Sequence, residues 1–386
     1  MYRILMYCGY FPPEYSGAAK QAISLARQLR SKGHYIEFVT VQRNNNPATD
    51  TYDGFRVTRI KEGRTDRHKE FILWKNLAIL AWQKRHDFDF LHSHGAYYTN
   101  SIVGPIGRFA GYKSLVKASL AENDLADIGT SVTGSIHKYF LSRVDASVAI
   151  SRDLEREFRS IGLNRERIHY LPNGVDTELF RPADSKEKAT LRTQLGLPTE
   201  RPVVLSVGVF DQRKNIGWLM DQWVAHNAFG TNAVLATVGP QARDDPDGSF
   251  FNGLMKLAGL HSDILFMEGH AEGIERYYRA ADAFLLASEN EGLPNVMLEA
   301  MATALPCIVS QVSGSQDLIK DGETGWLFSP NDVQGLAAGI SKALNHKEMK
   351  VGEYARDLIE REFSISAIAR GYEKLYRALL EGALAT

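Results

Sequence analysis

Two glutamates in one short stretch give the first chemical lead. Residues 288–302 read Ser-Glu-Asn-Glu-Gly-Leu-Pro-Asn-Val-Met-Leu-Glu-Ala-Met-Ala, which sets Glu291 seven residues before Glu299 in the intervening count. The stretch follows an apolar strand-like run (Ala-Phe-Leu-Leu-Ala), and Pro294 is a residue accepted in the first turn of a helix. A helix opening there leaves the backbone N–H groups around Leu293–Val296, those of Leu293, Asn295 and Val296, without helical partners, with Gly292 and Pro294 lining the same turn. With the helix dipole they form an anion site that suits a nucleotide diphosphate. At ~1.5 Å rise per residue, Glu299 lies roughly 6 Å further along the axis than Asn295. One carboxylate then reaches the sugar side of a diphosphate and the other the ribose side, and a carboxylate accepts two hydrogen bonds from a vicinal diol. The plainer alternative is a structural helix with an acidic first turn.

Three other groups of residues invite a chemical reading. His92-Ser93-His94-Gly95 ends a strand, and two imidazoles two positions apart point to one face. A third metal ligand is missing, so a structural or substrate-side role is expected. Asp87-Phe88-Asp89 has the Asp-x-Asp spacing that some transferases use for a divalent ion, but here it precedes a strand and reads as its solvated start. Residues 67–85 (RHKEFILWKNLAILAWQKR) are basic at the ends and apolar within. That pattern fits a buried helix with polar ends, or a helix lying on a membrane surface.

These residues must be held by a repeating frame. Strands are expected at 3–7, 35–41, 90–94, 114–118 and 146–150, with a helix over 18–32 after the glycine-containing loop 9–16. Leu-Pro-Asn-Gly-Val-Asp-Thr-Glu-Leu-Phe-Arg-Pro at 171–182 punctuates the pattern and reads as an interdomain connection. The order then restarts: a polar helix (185–195), a strand (202–207), a loop (208–214) and a helix (216–224). Further strands are expected at 233–238, 264–267, 283–287 and 306–310. The fold class is therefore α/β, with two Rossmann-like doubly wound domains facing a central cleft and ligands at the C-terminal ends of the strands. The expected boundaries are 1–176 and 177–364, with a last helix within 365–386 crossing back to the first domain. Ile368, Tyr372, Leu375, Tyr376 and Leu379 form one face of that helix.

Composition narrows the class. The 386 residues suffice for two packed cores, and no apolar run approaches the ~20 residues of a membrane span. The two cysteines, Cys8 and Cys307, lie in apolar runs, which argues against a disulfide framework and for a cytoplasmic protein. Net charge is −1, but residues 1–180 hold 25 basic and 19 acidic residues, and residues 181–386 hold 20 and 27. A basic first half suits anionic partners, including peripheral attachment to the inner face of a membrane. There is no zinc spacing, no nucleic-acid signature and no Gly-x-x-x-x-Gly-Lys-Ser/Thr loop.

The Glu–seven residues–Glu stretch at 291–299 resembles the motif of the GT-B retaining glycosyltransferases of family 4 (glycosyl transferases group 1). Other segments are similar to that family in the same order: 11–20 to its N-terminal glycine loop, 172–182 to its interdomain segment, 207–215 to its Gly-Arg-…-Lys loop, and 319–328 to a late turn and strand. The resemblance implies that Glu291 contacts donor-sugar hydroxyls, Glu299 the ribose, and Lys214 the departing diphosphate. Gly208 opens the Lys214 loop, and Gly17 resembles the glycine whose backbone approaches the diphosphate from the first domain. A fixed cation stabilises the charge that develops on the leaving group without a metal.

Two departures stand out. Val209 occupies the family's arginine position, leaving Arg213 to supply the second positive charge. The family's histidine beside the reacting sugar is absent from 116–124, which offers Lys117, Ser119, Glu122, Asn123 and Asp124 instead. Asn123 and Asp124 then join Lys214, Arg213 and Glu291 as catalytic candidates, while His92, His94, Lys117 and Glu122 stand on the acceptor side. The expected activity is transfer of a hexosyl or N-acetylhexosaminyl group from a UDP- or GDP-sugar to a glycan or lipid-linked hydroxyl, with no metal or other cofactor. Two rivals remain: a nucleotide-sugar-binding subunit without turnover, and a nucleotide-sugar epimerase.

Overall fold

The computed structural model describes residues 1–63, 66–96, 100–120, 125, 128, 134–268, 273–345 and 350–382. The chain forms two compact units, Met1–Gly174 with Ile365–Thr386, and Val175–Ser364.

The first unit contains β1 (Arg3–Cys8), α1 (Gly17–Ser31), β2 (Tyr35–Val41), β3 (Thr49–Tyr52), β4 (Phe55–Ile60), α2 (Asp66–Gln83) and β5 (Phe90–His94). It continues through α3 (Val103–Ala110), β6 (Lys113–Lys117), α4 (Gly134–Leu141), β7 (Ala146–Ala149), α5 (Arg152–Ser160) and β8 (Ile168–Tyr170). The sheet order is β3-β4-β2-β1-β5-β6-β7-β8, and only the β3–β4 pair is antiparallel. Strand order reverses at β1, so the loop after β1 sits at the switch point where open α/β sheets bind ligands. Helices cover both faces, which is why β1, β5 and β7 read as continuous buried runs rather than alternating ones.

Helix α1 starts one residue before its expected limit. Ser16 caps it by accepting from the Ala19 N–H at 3.3 Å, and Gly17 is its first residue. Its Ala19, Ala22, Ile23, Ala26 and Leu29 pack on one sheet face together with the C-terminal helix, Ile365–Glu381. That helix buries Ile368, Tyr372, Leu375, Tyr376 and Leu379 in the same core. Each such side chain is worth about 1.5–3 kcal/mol relative to exposure. Three strands had no sequence expectation: β3, β4 and β8. The β3–β4 hairpin turns on Asp53-Gly54, both at positive φ (53° and 73°), the dipeptide that suits a tight hairpin turn.

The second unit holds α6 (Ser185–Leu195), β9 (Val203–Val207), α7 (Ile216–Ala225), β10 (Val234–Gly239), α8 (Ser249–Gly259), β11 (Ile264–Glu268) and α9 (Ile274–Ala280). It closes with β12 (Ala283–Leu286), α10 (Asn295–Ala302), β13 (Cys307–Ser310), α11 (Ser315–Leu318), β14 (Trp326–Phe328), α12 (Val333–Asn345) and α13 (Val351–Leu358). Its sheet is parallel throughout, in the order β11-β10-β9-β12-β13-β14. Here β9 is the switch strand. Leu219, Trp223, Leu235, Leu285, Ile308, Leu336 and Ile340 fill its core. The ends of β9 and β10 meet so closely that a Cβ at Gly239 would fall 1.7 Å from the Gly208 carbonyl oxygen. Only glycine fits there, and that fit brings the loop after β9 into position.

Candidate functional site

In the second unit, the loops after β9 and β12 converge at the C-terminal edge of the sheet. The β9 loop ends in a short 3-10 turn, Gln212–Lys214, capped by Asp211, whose Oδ1 accepts from the Lys214 N–H at 2.8 Å. Asn215 then takes a left-handed conformation before α7 begins. The two loops are stitched by backbone: the Glu289 N–H donates to the Arg213 carbonyl at 2.9 Å.

Arg213 and Lys214 both reach Glu291. Lys214 Nζ lies 2.5 Å from Glu291 Oε1, and Arg213 Nη1 lies 3.2 Å from Oε2 while donating to the Asn290 carbonyl at 2.7 Å. Arg213 also sits 3.4 Å from Asp211. Glu291 is 6% exposed. Burial pushes its carboxyl up, but Lys214 and Arg213 outweigh that and hold it below the usual carboxylate range. The result is a charge-balanced set of two half-buried cations and two carboxylates, Glu291 buried and Asp211 half-buried, directly before a helix start.

That helix is α10. Pro294 is its N-cap residue rather than a first-turn residue, and no side chain caps the end. The Met297 and Leu298 N–H groups turn back to the Pro294 carbonyl at 3.2 and 3.3 Å. The Gly292–Leu293 backbone is backed by the loop after β13. Gly314 stands at φ 73°, and a Cβ there would fall 2.4 Å from the Gly292 oxygen. Asn295 and Val296 are half-buried, whereas Gly292, Leu293 and Pro294 are buried. Further along α10, Glu299 Oε2 accepts from the Tyr278 hydroxyl at 2.8 Å. Tyr278 comes from α9 and is fully buried, with the rings of Phe180 and Phe284 at 5.6 and 5.9 Å. The chemical capacity is a preformed anion site of two cations and a helix start, flanked by two fixed carboxylates.

In the first unit, Gly17 lies at the α1 start beside the β1 switch point. Cys8, His94 and Lys117 are register partners on β1, β5 and β6, so they share one sheet face. His92 is completely buried, its Nδ1 2.8 Å from the Tyr376 hydroxyl of the C-terminal helix. The C-terminal helix packs over this imidazole through Tyr372 and Tyr376. His94 stacks on His92 at 4.3 Å, and neither of its ring nitrogens has a hydrogen-bond partner. Burial, then Lys117, drives the His92 imidazole down to about 3; burial, then His92 and Lys117, lowers His94 as well. Lys117 is 4% exposed, and burial brings its ammonium down to about 7. Glu122, Asn123 and Asp124 lie outside the described residues.

The sequence pattern missed Asp211, Tyr278 and Gly314. Asp211 had a local signal, an Asp three residues before the capped Lys214. Tyr278 and Gly314 reach the site only through tertiary packing. Asp89 Oδ2 accepts from the Arg3 N–H at 2.8 Å and Asp87 lies 3.8 Å from the Arg3 guanidinium, so this pair anchors a strand start. Among the described residues no three His, Cys, Asp or Glu side chains gather as a metal site, and no helix is long and apolar enough to cross a membrane.

Two α/β units, each built on a mainly parallel sheet and one carrying a cationic switch-point loop against an acidic helix start, define the architecture of a GT-B glycosyltransferase. The chain belongs to the family 4 glycosyltransferases. Residues 187–361 match the model for glycosyl transferases group 1, and residues 15–179 match that for glycosyltransferase family 4. It is 24% identical to the N-acetyl-alpha-D-glucosaminyl L-malate synthase of Bacillus anthracis, over 95% of each chain. It is 26% identical to a UDP-Gal:alpha-D-GlcNAc-diphosphoundecaprenol alpha-1,3-galactosyltransferase of Escherichia coli, over 75% of each. Its fold is that of the Anabaena protein HepE, solved with UDP-glucose: TM-score 0.79 at 18% or lower identity across the HepE complexes, covering 98% of this chain and 100% of that one.

Proposed function

We propose that the chain transfers a hexosyl or N-acetylhexosaminyl group from a UDP- or GDP-sugar to a hydroxyl of a glycan or lipid-linked acceptor, with retention of anomeric configuration and without a metal. The observation that carries this reading is Glu291 gripped by Lys214 and Arg213 at the start of α10. An incoming diphosphate takes over the two cations and the helix start, which leaves the Glu291 carboxylate to accept from donor-sugar hydroxyls. Glu299, fixed by Tyr278, accepts from the ribose. The bond between the anomeric carbon and the diphosphate oxygen breaks as the acceptor oxygen bonds to that carbon from the same face. The acceptor proton passes to the leaving diphosphate. Lys214 and Arg213 stabilise the charge that builds there, and they are in place before the reaction starts.

The uridine nucleotide is the first choice, because the similar folds were solved with UDP or UDP-glucose. Arg213 takes the part left open by Val209, since it shares Glu291 with Lys214. Two buried, unbridged cysteines suit a reducing compartment, which supports the cytoplasm as the place of reaction. The test is a thermal-shift and donor-hydrolysis screen of UDP, GDP and their sugars, with wild type beside Glu299→Ala. A shift with one nucleotide, lost in the variant, together with slow nucleotide release from one sugar donor, supports the reading. An inverted anomeric signal in the first-formed product would remove the retaining step. Val209 favours a second reading, a binding subunit without turnover; nucleotide binding with no transfer across a wide acceptor panel decides for it.

A further inference from the structure

On the first unit, α2, α3 and α4 expose an apolar surface that the donor-site chemistry does not use. Leu73, Leu77 and Ala81 of α2 face the core, and its opposite ridge carries Phe71, Lys75, Ile79 and Trp82. Of the fifteen large hydrophobic side chains exposed among the described residues, six stand on these three helices: Phe71, Ile79, Trp82, Phe109, Ile136 and Tyr139, each 45–64% exposed. That concentration separates the face from the scattered apolar residues normal on any surface.

The face is continuous. The Trp82 ring of α2 lies 4.8 Å from Phe109 of α3. Trp74, also on α2, packs on His137 and Phe140 of α4 at 5.7 and 5.6 Å, next to the exposed Tyr139. Its aromatic rings carry cations: the Arg85 guanidinium is 4.4 Å from the Trp82 ring centre, and Arg143 is 4.7 Å from that of Tyr139. Residues 68–85, 103–113 and 134–143 contain eight Lys and Arg and one acid, Glu70. Lys84 pairs with Glu37 and Lys113 with Asp145.

We propose that this face docks on an anionic lipid bilayer. Aromatic and aliphatic side chains enter the headgroup boundary, and the surrounding Lys and Arg meet the lipid phosphates. The long basic side chains lay their stems along the apolar surface and keep their charges at headgroup level. A second copy of the chain is a poorer occupant, because pairing this face with itself opposes two strongly cationic surfaces. The inference stands apart from the donor-site reading: it needs no catalytic turnover, and its failure leaves Glu291, Lys214 and Arg213 untouched.

The test is co-sedimentation of the full chain with phosphatidylcholine vesicles, with and without phosphatidylglycerol, at low and high salt. Binding is expected only with phosphatidylglycerol, and it should weaken as salt rises. Trp82→Ser with Phe109→Ser, and separately Lys75→Glu with Lys138→Glu, should each lower vesicle partitioning by about tenfold or more. These positions are exposed, so unchanged melting temperatures and circular dichroism will show that the variants fold. No sedimentation at low salt overturns the proposal, as does binding that ignores phosphatidylglycerol or both variant pairs. Sedimentation equilibrium supplies one more check: a dimer abolished by Trp82→Ser/Phe109→Ser would assign the face to a second copy and overturn the lipid assignment.

Discussion

At the end of β12 a buried carboxylate meets two cations, whereas at the ends of β5 and β6 two imidazoles and an ammonium are buried with no carboxylate among the described residues beside them. The consequences for ionisation are opposite. Glu291 stays charged because Lys214 and Arg213 outweigh its burial. His92 and His94 stay neutral, and Lys117 is brought to about 7, because no carboxylate among the described residues offsets their burial. A site that must meet a polyanion keeps fixed charges by pairing them in advance. A sheet edge closed by a helix keeps its polar groups by neutralising them. Burial alone therefore says little about function; the partner set decides.

The sharpest way to break that contrast is Lys214→Met. It removes the cation that heads the Glu291 pairing and, on the proposed mechanism, half of the fixed positive charge at the leaving group. Steady-state transfer should show kcat lower by about 10²–10³-fold, the usual cost of losing one preorganised stabiliser of developing charge. A value near wild type would mean that Arg213 and the α10 start suffice and that Lys214 serves the resting ion pair. The same pairing has a pH signature. The folded-state pKa of Glu291 is depressed, so its stabilisation is present above the unfolded carboxylate value of about 4.5 and is lost as pH falls below it. Glu291→Gln should flatten the acid limb of a stability–pH profile measured by urea unfolding.

Lys117→Met tests the other side, with the opposite sign. The folded pKa of about 7 lies below the unfolded value of 10.5. The unfolded chain thus holds one more proton between those values, and wild-type stability rises with pH across that window. Methionine keeps the length of the side chain without the charge. The variant should be more stable than wild type by roughly 2–4 kcal/mol at and below neutral pH, with the gap closing toward pH 10.5. A destabilised variant, or a gap that does not change with pH, would show that Lys117 has a charged partner after all.

How much of this could be read from the sequence follows the range of the interactions. The Glu291–Glu299 spacing, the strand before it and the helix after it are local, and they stand as expected apart from the one-residue shift that makes Pro294 the cap. Lys214 and Arg213 were legible as loop residues; that both close on Glu291 needed the β9–β12 adjacency. The hairpin at Asp53-Gly54 had a local signal and still went unread, because its strands are short and β3 is exposed throughout. His92 shows the limit. A histidine on a strand of polar and apolar residues gives no hint of its surroundings, and the Tyr376 hydroxyl that satisfies it lies 284 residues away.

Tyr278 offers the finest probe of a prearranged carboxylate. Its hydroxyl donates to Glu299 Oε2 at 2.8 Å, and its ring is clamped in the core between Phe180 and Phe284. Tyr278→Phe keeps the ring packing and deletes the hydrogen bond. If Glu299 receives the ribose, its carboxylate becomes less well aimed, and UDP affinity should fall about 3- to 10-fold, the scale of one net hydrogen bond. Isothermal titration with UDP and with a UDP analogue lacking both ribose hydroxyls separates positioning from simple structural support. A positioning role predicts that the analogue binds wild type and variant equally well. An equal loss for both ligands would mean that Tyr278 only braces α10, and it would take the ribose contact away from Glu299.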